Sequence, residues 1–166
     1  EIGHALGRDH TGLIHTTMFA TGERGATRQR VLSQDDIAGI SNVYPAVEEF
    51  SSAFGSISGL VLRGGAPVFG AHVVALDSGG LPLVSGLTFP NGSFLIPGLP
   101  PGAYTLYVET IDGPSDPPEY DLGAVLDFSP AFNTTILAGT LSVQAGMQNE
   151  AVELQVDGDG SLNITG

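Results

Sequence analysis

The chain opens on residues whose types and spacing suit metal-assisted hydrolysis. Glu1, His4 and His10 fall within ten residues, and Gly7 stands between the two histidines. Imidazoles four apart on a helix share one face, and a carboxylate directly after the first can reach a metal-bound water. Glu1 and His4 have the spacing of the second and fifth positions of such a set, so the first imidazole is expected just before Glu1. On a continued helix His10 would lie about 9 Å further along the axis from His4, turned away from it. The two can meet one metal only if the chain turns sharply between them, and Gly7 is the residue that permits the turn.

The elements that would position these groups are short. "EIGHAL" reads as the end of a helix stopped at Gly7. "LSQDDIAGISNVY" reads as a second helix, with Ser33 as N-cap, Asp35 and Asp36 in the first turn, and Pro45 closing it. Its apolar residues Ile37, Ile40, Val43 and Tyr44 recur at helical spacing and are the expected inward face. An irregular loop containing Met18 joins the two helices, and His15 is a loop residue off the ligand spacing.

"EIGHALGRDH" is similar to the metzincin signature H-E-x-x-H-x-x-G-x-x-H, complete except for the leading histidine. Met18, in "HTGLIHTTMFA", falls at the distance of the matrixin-like methionine turn, and "LSQDDIAGISNVYP" resembles the closing helix of matrixins. The resemblance covers residues 1–49 and implies the C-terminal part of a zinc metallopeptidase domain. It makes Glu1 the general base, His4 and His10 zinc ligands, Met18 the floor of the methionine turn, and Asp35 and Asp36 structural helix-start carboxylates. The segment "FATGERGATRQRV" departs from the family pattern where substrate preference is set. A chain that starts inside this motif is expected to continue upstream. By itself it is expected to show negligible peptidase activity and at best weak zinc binding.

Composition changes near residue 50. Four of the five basic residues, Arg8, Arg24, Arg28 and Arg30, precede it, and only Arg63 follows. "YPAVEEFSSAFGS" reads as the junction. Beyond it come short apolar or alternating runs, "SISGLVLRG", "AHVVALD", "LPLVSGLTF", "SFLIPGL", "AYTLYVET", "FNTTIL", "TLSVQA" and "EAVELQV", separated by Gly-, Pro- and Asn-rich turns. Such a series predicts an antiparallel β-sandwich. The run around "NGSFLIPGLPPGAYTL" resembles the carboxypeptidase regulatory-like domain, a transthyretin-like sandwich that is usually a non-catalytic accessory module. The expected organisation is therefore a truncated helical metallopeptidase segment at 1–49, a sandwich at 50–156 and a tail at 157–166. The sandwich is expected to fold without the first segment.

Charge narrows the partners. The 166 residues carry a net charge of −13 with no lysine, which repels nucleic acid and anionic membranes. The expected partner is a protein or peptide substrate, without membrane insertion, and the expected location is secreted or at the cell surface. There is no cysteine, so disulfides are excluded. The insert with Asp112, Asp116, Glu119, Asp121 and Asp127, and the tail with Asp157, Asp159 and Gly160, offer oxygens for calcium without regular ligand spacing. Asn91, Asn133 and Asn163 fit the glycosylation acceptor pattern. His72 lies in a strand pattern and reads as a partly buried or surface residue; of Tyr104 and Tyr107, one is expected to face the core. The alternative to an enzyme is an adhesive, spacer or ligand-binding β-module carrying a decayed protease remnant.

Overall fold

The computed structural model of the chain describes residues 2–22, 24–25, 27–45, 49–110 and 132–158. Helix α1 spans Ile2–Ala5, a 3₁₀ turn Arg28–Arg30, α2 Gln34–Val43 and α3 Glu49–Ala53. Among the described residues nine strands follow: β1 Gly55–Arg63, β2 Ala66–Pro67, β3 Ala71–Leu76, β4 Pro82–Leu87, β5 Ser93–Leu99, β6 Gly102–Thr110, β7 Thr135–Ile136, β8 Leu141–Val143 and β9 Gln148–Gln155. One sheet runs β2-β1-β5 with β9 on the other side of β1. The second runs β4-β3-β6-β7, with β8 also paired to β6.

The architecture is mainly β, two sheets around one core, as the strand pattern predicts. Alternation places Ile57, Val61, Val73, Phe94, Ile96, Leu106 and Val108 between the sheets. Tyr104 joins them, its hydroxyl donating to the Pro100 carbonyl at 2.8 Å. Every pair of these nine strands is antiparallel but one. β9 returns alongside β1 in parallel, with Ile57 opposite Asn149 and Gly59 opposite Val152. That pairing carries one extra residue on β9, and Ala151 takes the strain with φ +64°. The strand pattern predicts an antiparallel partner there; an alternating run defines faces and not direction.

The segment before residue 50 is built onto the sandwich. Strands β4 and β5 are the terminal strands of their sheets, and α2 lies across both. Ala38 is fully buried in the shared core, and a Cβ at Gly98 of β5 would stand 2.6 Å from the Ala38 Cβ. Gln34 Nε2 donates to the Gly98 carbonyl at 2.8 Å, and the Asp35 carboxylate accepts the Ser85 N–H of β4 at 2.8 Å. The expected inward face of α2 is corrected by this contact. Ile37, Val43 and Tyr44 are 36%, 45% and 60% exposed, whereas Asp35, Asp36, Ala38 and Gly39 are buried. The helix approaches the strands too closely for a branched or aromatic side chain, so small residues and carboxylates occupy the contact. The junction also holds a helix that its turn-rich composition does not announce, α3, whose Phe50 ring meets that of Phe54, just past its end, at 5.0 Å.

The docking of α2 and the strain in β9 each have a measurable consequence. A chain beginning at Ser51 uncovers β4 and β5 and removes Ala38 from the core. It is expected to melt about 10 °C below the full chain, the shift for a loss of about 2 kcal/mol in a domain this size; equal melting would make the helical segment an independent appendage. Ala151→Gly relieves a left-handed alanine and is expected to raise stability by about 0.5–1 kcal/mol in denaturant titration.

Candidate metal centre

Helix α1 is one turn long and buries none of its residues. It ends where Gly7 takes φ +77°, with the Gly7 N–H donating to the His4 carbonyl at 2.9 Å and the Arg8 N–H to the Gly3 carbonyl at 2.9 Å. This glycine closure reverses the chain and brings His10 back over His4. The two imidazoles meet edge to face with centroids 4.7 Å apart, and their Nε2 atoms are 3.2 Å apart.

Hydrogen bonding fixes which ring atoms face each other. His4 Nδ1 lies 2.9 Å from the Arg8 carbonyl, which can only accept, so Nδ1 carries the hydrogen and Nε2 of the neutral ring keeps its lone pair. His10 Nε2–H then donates to it. A backbone carbonyl orienting the far nitrogen is the usual support of a metal-binding histidine. Two nitrogens bound at 2.0–2.1 Å on neighbouring corners of a tetrahedron are about 3.3 Å apart, so the observed separation fits one zinc-sized ion. Both rings are exposed and open to solvent.

Met18 is buried beneath this pair, its thioether against the backbone of Gly3, where any side chain would collide with it. The Thr11 N–H donates to the Met18 carbonyl at 3.1 Å, so the residue after His10 is tied directly to the methionine turn. Asp36 secures the turn from the other side. Its carboxylate accepts the N–H groups of Thr17 (2.9 Å), Met18 (3.2 Å) and Ser33 (2.8 Å), and the Ser33 hydroxyl at 2.7 Å. The Asp36 N–H returns a bond to Ser33 Oγ, completing a capping box at the start of α2.

The two adjacent carboxylates titrate in opposite directions. Burial alone would raise Asp36, but the hydrogen bonds from Thr17, Ser33 and Met18 outweigh it and hold its pKa below the ordinary value. Burial pushes Asp35 up, against the opposing pull of the Ser85 N–H, Thr11 and the Arg8 guanidinium. Arg8 is a participant that sequence reasoning misses: its guanidinium packs on Gly39 of α2, with Nε buried and unpaired among the described residues. A lone arginine inside a histidine motif gives no signal of that destination.

Glu1 lies outside the described residues, as do the acidic insert from Asp112 to Asp127, Asp159, Gly160 and Asn163. His15 is exposed in the loop. His72 is 3% exposed and paired with Glu109. Tyr107 is half-buried outside the core, its phenol pushed up to about 12 by burial and by Glu109. Among the described residues no group of three or more His, Cys, Asp or Glu side chains gathers for a metal, and no helix is long and apolar enough to cross a membrane.

No family model matches the chain, and no curated protein does. Solved structures similar to it include the Bacillus anthracis TIE protein (17% identity, TM-score 0.40, 63% of this chain and 16% of that one). The minor pilin of Streptococcus agalactiae is similar at 12% identity and TM-score 0.39, over 63% of this chain and 44% of that one. A putative carbohydrate binding protein from Pseudomonas aeruginosa is similar at 17% and 0.34, over 68% and 93%. At these scores the likenesses assign neither family nor activity.

The Asp36 clamp predicts a pH signature. Because its folded pKa lies below its unfolded one, its contribution is complete above about pH 5 and is lost as pH falls through 4 towards the folded value. Asp36→Asn should cost about 2–4 kcal/mol at pH 7, and the deficit should shrink in acid. Asp35 has the opposite sign: ionising it costs stability as pH rises above about 4. Asp35→Asn, which keeps an acceptor for Ser85, should therefore change neutral-pH stability by less than about 1 kcal/mol. Urea titrations at pH 3 and 7 separate the two; equal losses would refute the division of roles.

Proposed function

We propose that this chain carries the C-terminal part of a metzincin-type, matrixin-like zinc metallopeptidase centre, joined to an accessory β-sandwich and working outside the cell on protein or peptide substrates. One observation carries the reading: the His4 and His10 Nε2 atoms converge at 3.2 Å, with His4 oriented through the Arg8 carbonyl. These two residues would hold the ion together with further ligands. When bound, zinc supplies Lewis acidity, polarising a peptide carbonyl and acidifying a water. Glu1 would serve as the general base and pass the proton it takes up to the leaving amine. Gly7 sets the chain reversal that makes the ligand pair, Met18 supports α1 from below, and Asp36 holds the methionine turn.

A second reading is a non-catalytic adhesive or spacer β-module that retains a protease remnant. It is favoured by where the core lies: the buried cluster is drawn mostly from the strands, and among the described residues it takes only Ala38 from before position 50.

Peptide hydrolysis by the chain, expressed with the coding sequence upstream of Glu1, decides between them. Turnover abolished by chelators, and lost by at least about a thousandfold in Glu1→Ala while zinc is retained, is expected for a base that does not bind the metal. Undiminished turnover in Glu1→Ala would remove Glu1 from the mechanism. No hydrolysis, with a residue other than histidine before Glu1, would leave the adhesive module.

A further inference from the structure

Strand β3 is buried along both faces. Ala71, Val73 and Ala75 belong to the core between the sheets, so His72 and Val74 point to the opposite side, where a two-layer sandwich meets water. His72 is nevertheless 3% exposed, because the segment following His10 runs over it. A Cβ at Gly12 would stand 2.6 Å from His72 Cε1 and 2.9 Å from Nε2, so only a glycine lets the backbone lie this low on the ring. The ring is anchored from the sheet: Nδ1 lies 3.1 Å from Glu109 Oε1 on β6, which fixes Nδ1 as the protonated nitrogen. Nε2 is buried with no hydrogen-bond partner among the described residues. Beside it, Thr11 Oγ1 is 3.4 Å from Ser85 Oγ on β4.

His10 is therefore followed at once by two residues seated on the sandwich, Thr11 on Ser85 and Gly12 on His72. His4 is oriented through the Arg8 carbonyl instead. We infer that the sandwich is part of the metal centre, and that His72 is a positioning residue setting the placement of the His10 imidazole against His4. The inference rests on the metal-centre reading above and gives the sandwich a role in it beyond that of an accessory. An imidazole suits this seat because it is flat and rigid and its hydrogen bond to Glu109 fixes its plane, whereas an aliphatic side chain would repack. Metal sites require ligands held to within about 0.5 Å, so a small change in this seat is felt at the ligand pair.

The test uses the full 166-residue chain with His72→Ala, His72→Gln, Gly12→Ala and the double variant Gly12→Ala/His72→Ala. Three quantities are read: the nuclear Overhauser contact between the His4 and His10 rings without metal, the zinc dissociation constant by chelator competition, and the melting temperature. His72→Ala should lose the ring contact and weaken zinc about tenfold, the low end for residues that orient ligands. His72→Gln, which fills much of the space and can donate to Glu109, should recover most of both. Gly12→Ala should be as damaging as His72→Ala, and removing the ring in the double variant should restore part of the loss, which a general loss of stability would not do. An unchanged ring contact and a zinc constant within about twofold of wild type in His72→Ala would overturn the inference. If His72→Ala does not fold, wild-type zinc binding by Gly12→Ala would overturn it equally. A ring contact that depends on His72, in a chain binding zinc no better than His4→Ala, would support the seating and reject the metal-centre reading.

Discussion

Two consecutive carboxylates at the start of α2 join the parts of this molecule. Neighbouring residues on a helix point about 100° apart, so Asp35 and Asp36 reach different partners from one turn of backbone. Asp36 collects the amides of Thr17, Met18 and Ser33, and Asp35 takes the edge amide of Ser85 on β4. The first bond set shapes the loop beneath the histidine pair; the second fastens the start of α2 to the sandwich. Both carboxylates sit where the helix N-terminus favours negative charge. Their protonation differs because Asp36 is richly hydrogen-bonded, while burial dominates at Asp35.

Close approach of backbone to side chain extends the same construction. The Met18 thioether lies against Gly3, the Arg8 guanidinium against Gly39, Ala38 against Gly98 and the His72 ring against Gly12. At each contact one partner has no side chain or only a methyl group, so elements settle closer than ordinary helix–sheet packing allows. The histidine pair itself is exposed, yet the segments that carry it rest on buried contacts. Close approach of glycine backbone gives the exposed pair a buried base. It also accounts for the small share that large apolar residues of α2 take in the docking.

Much of the local structure is legible in residue order, because local chemistry decides it. The turn at Gly7, the Ser33 cap with Asp36, the start and end of α2, and most of the strands follow from short-range rules of conformation, capping and alternation. The convergence of His4 and His10 is legible too, since their spacing requires a reversal and the glycine supplies one. The face on which α2 docks, the parallel return of β9, the helix at Glu49–Ala53, the packing of Arg8 on Gly39 and the cover over His72 are not legible. Most of these depend on residues tens of positions away, such as Ser85 meeting Asp35 or Glu109 meeting His72. Periodicity marks which side of an element is apolar, but which side is approached, and how closely, is set by the partner surface. The sequence by itself therefore determined the two histidines, the turn between them and the strand-rich class. The tertiary structure alone decided that the sandwich bears on the loop that follows His10, because that contact joins backbone and side chain across distant parts of the chain.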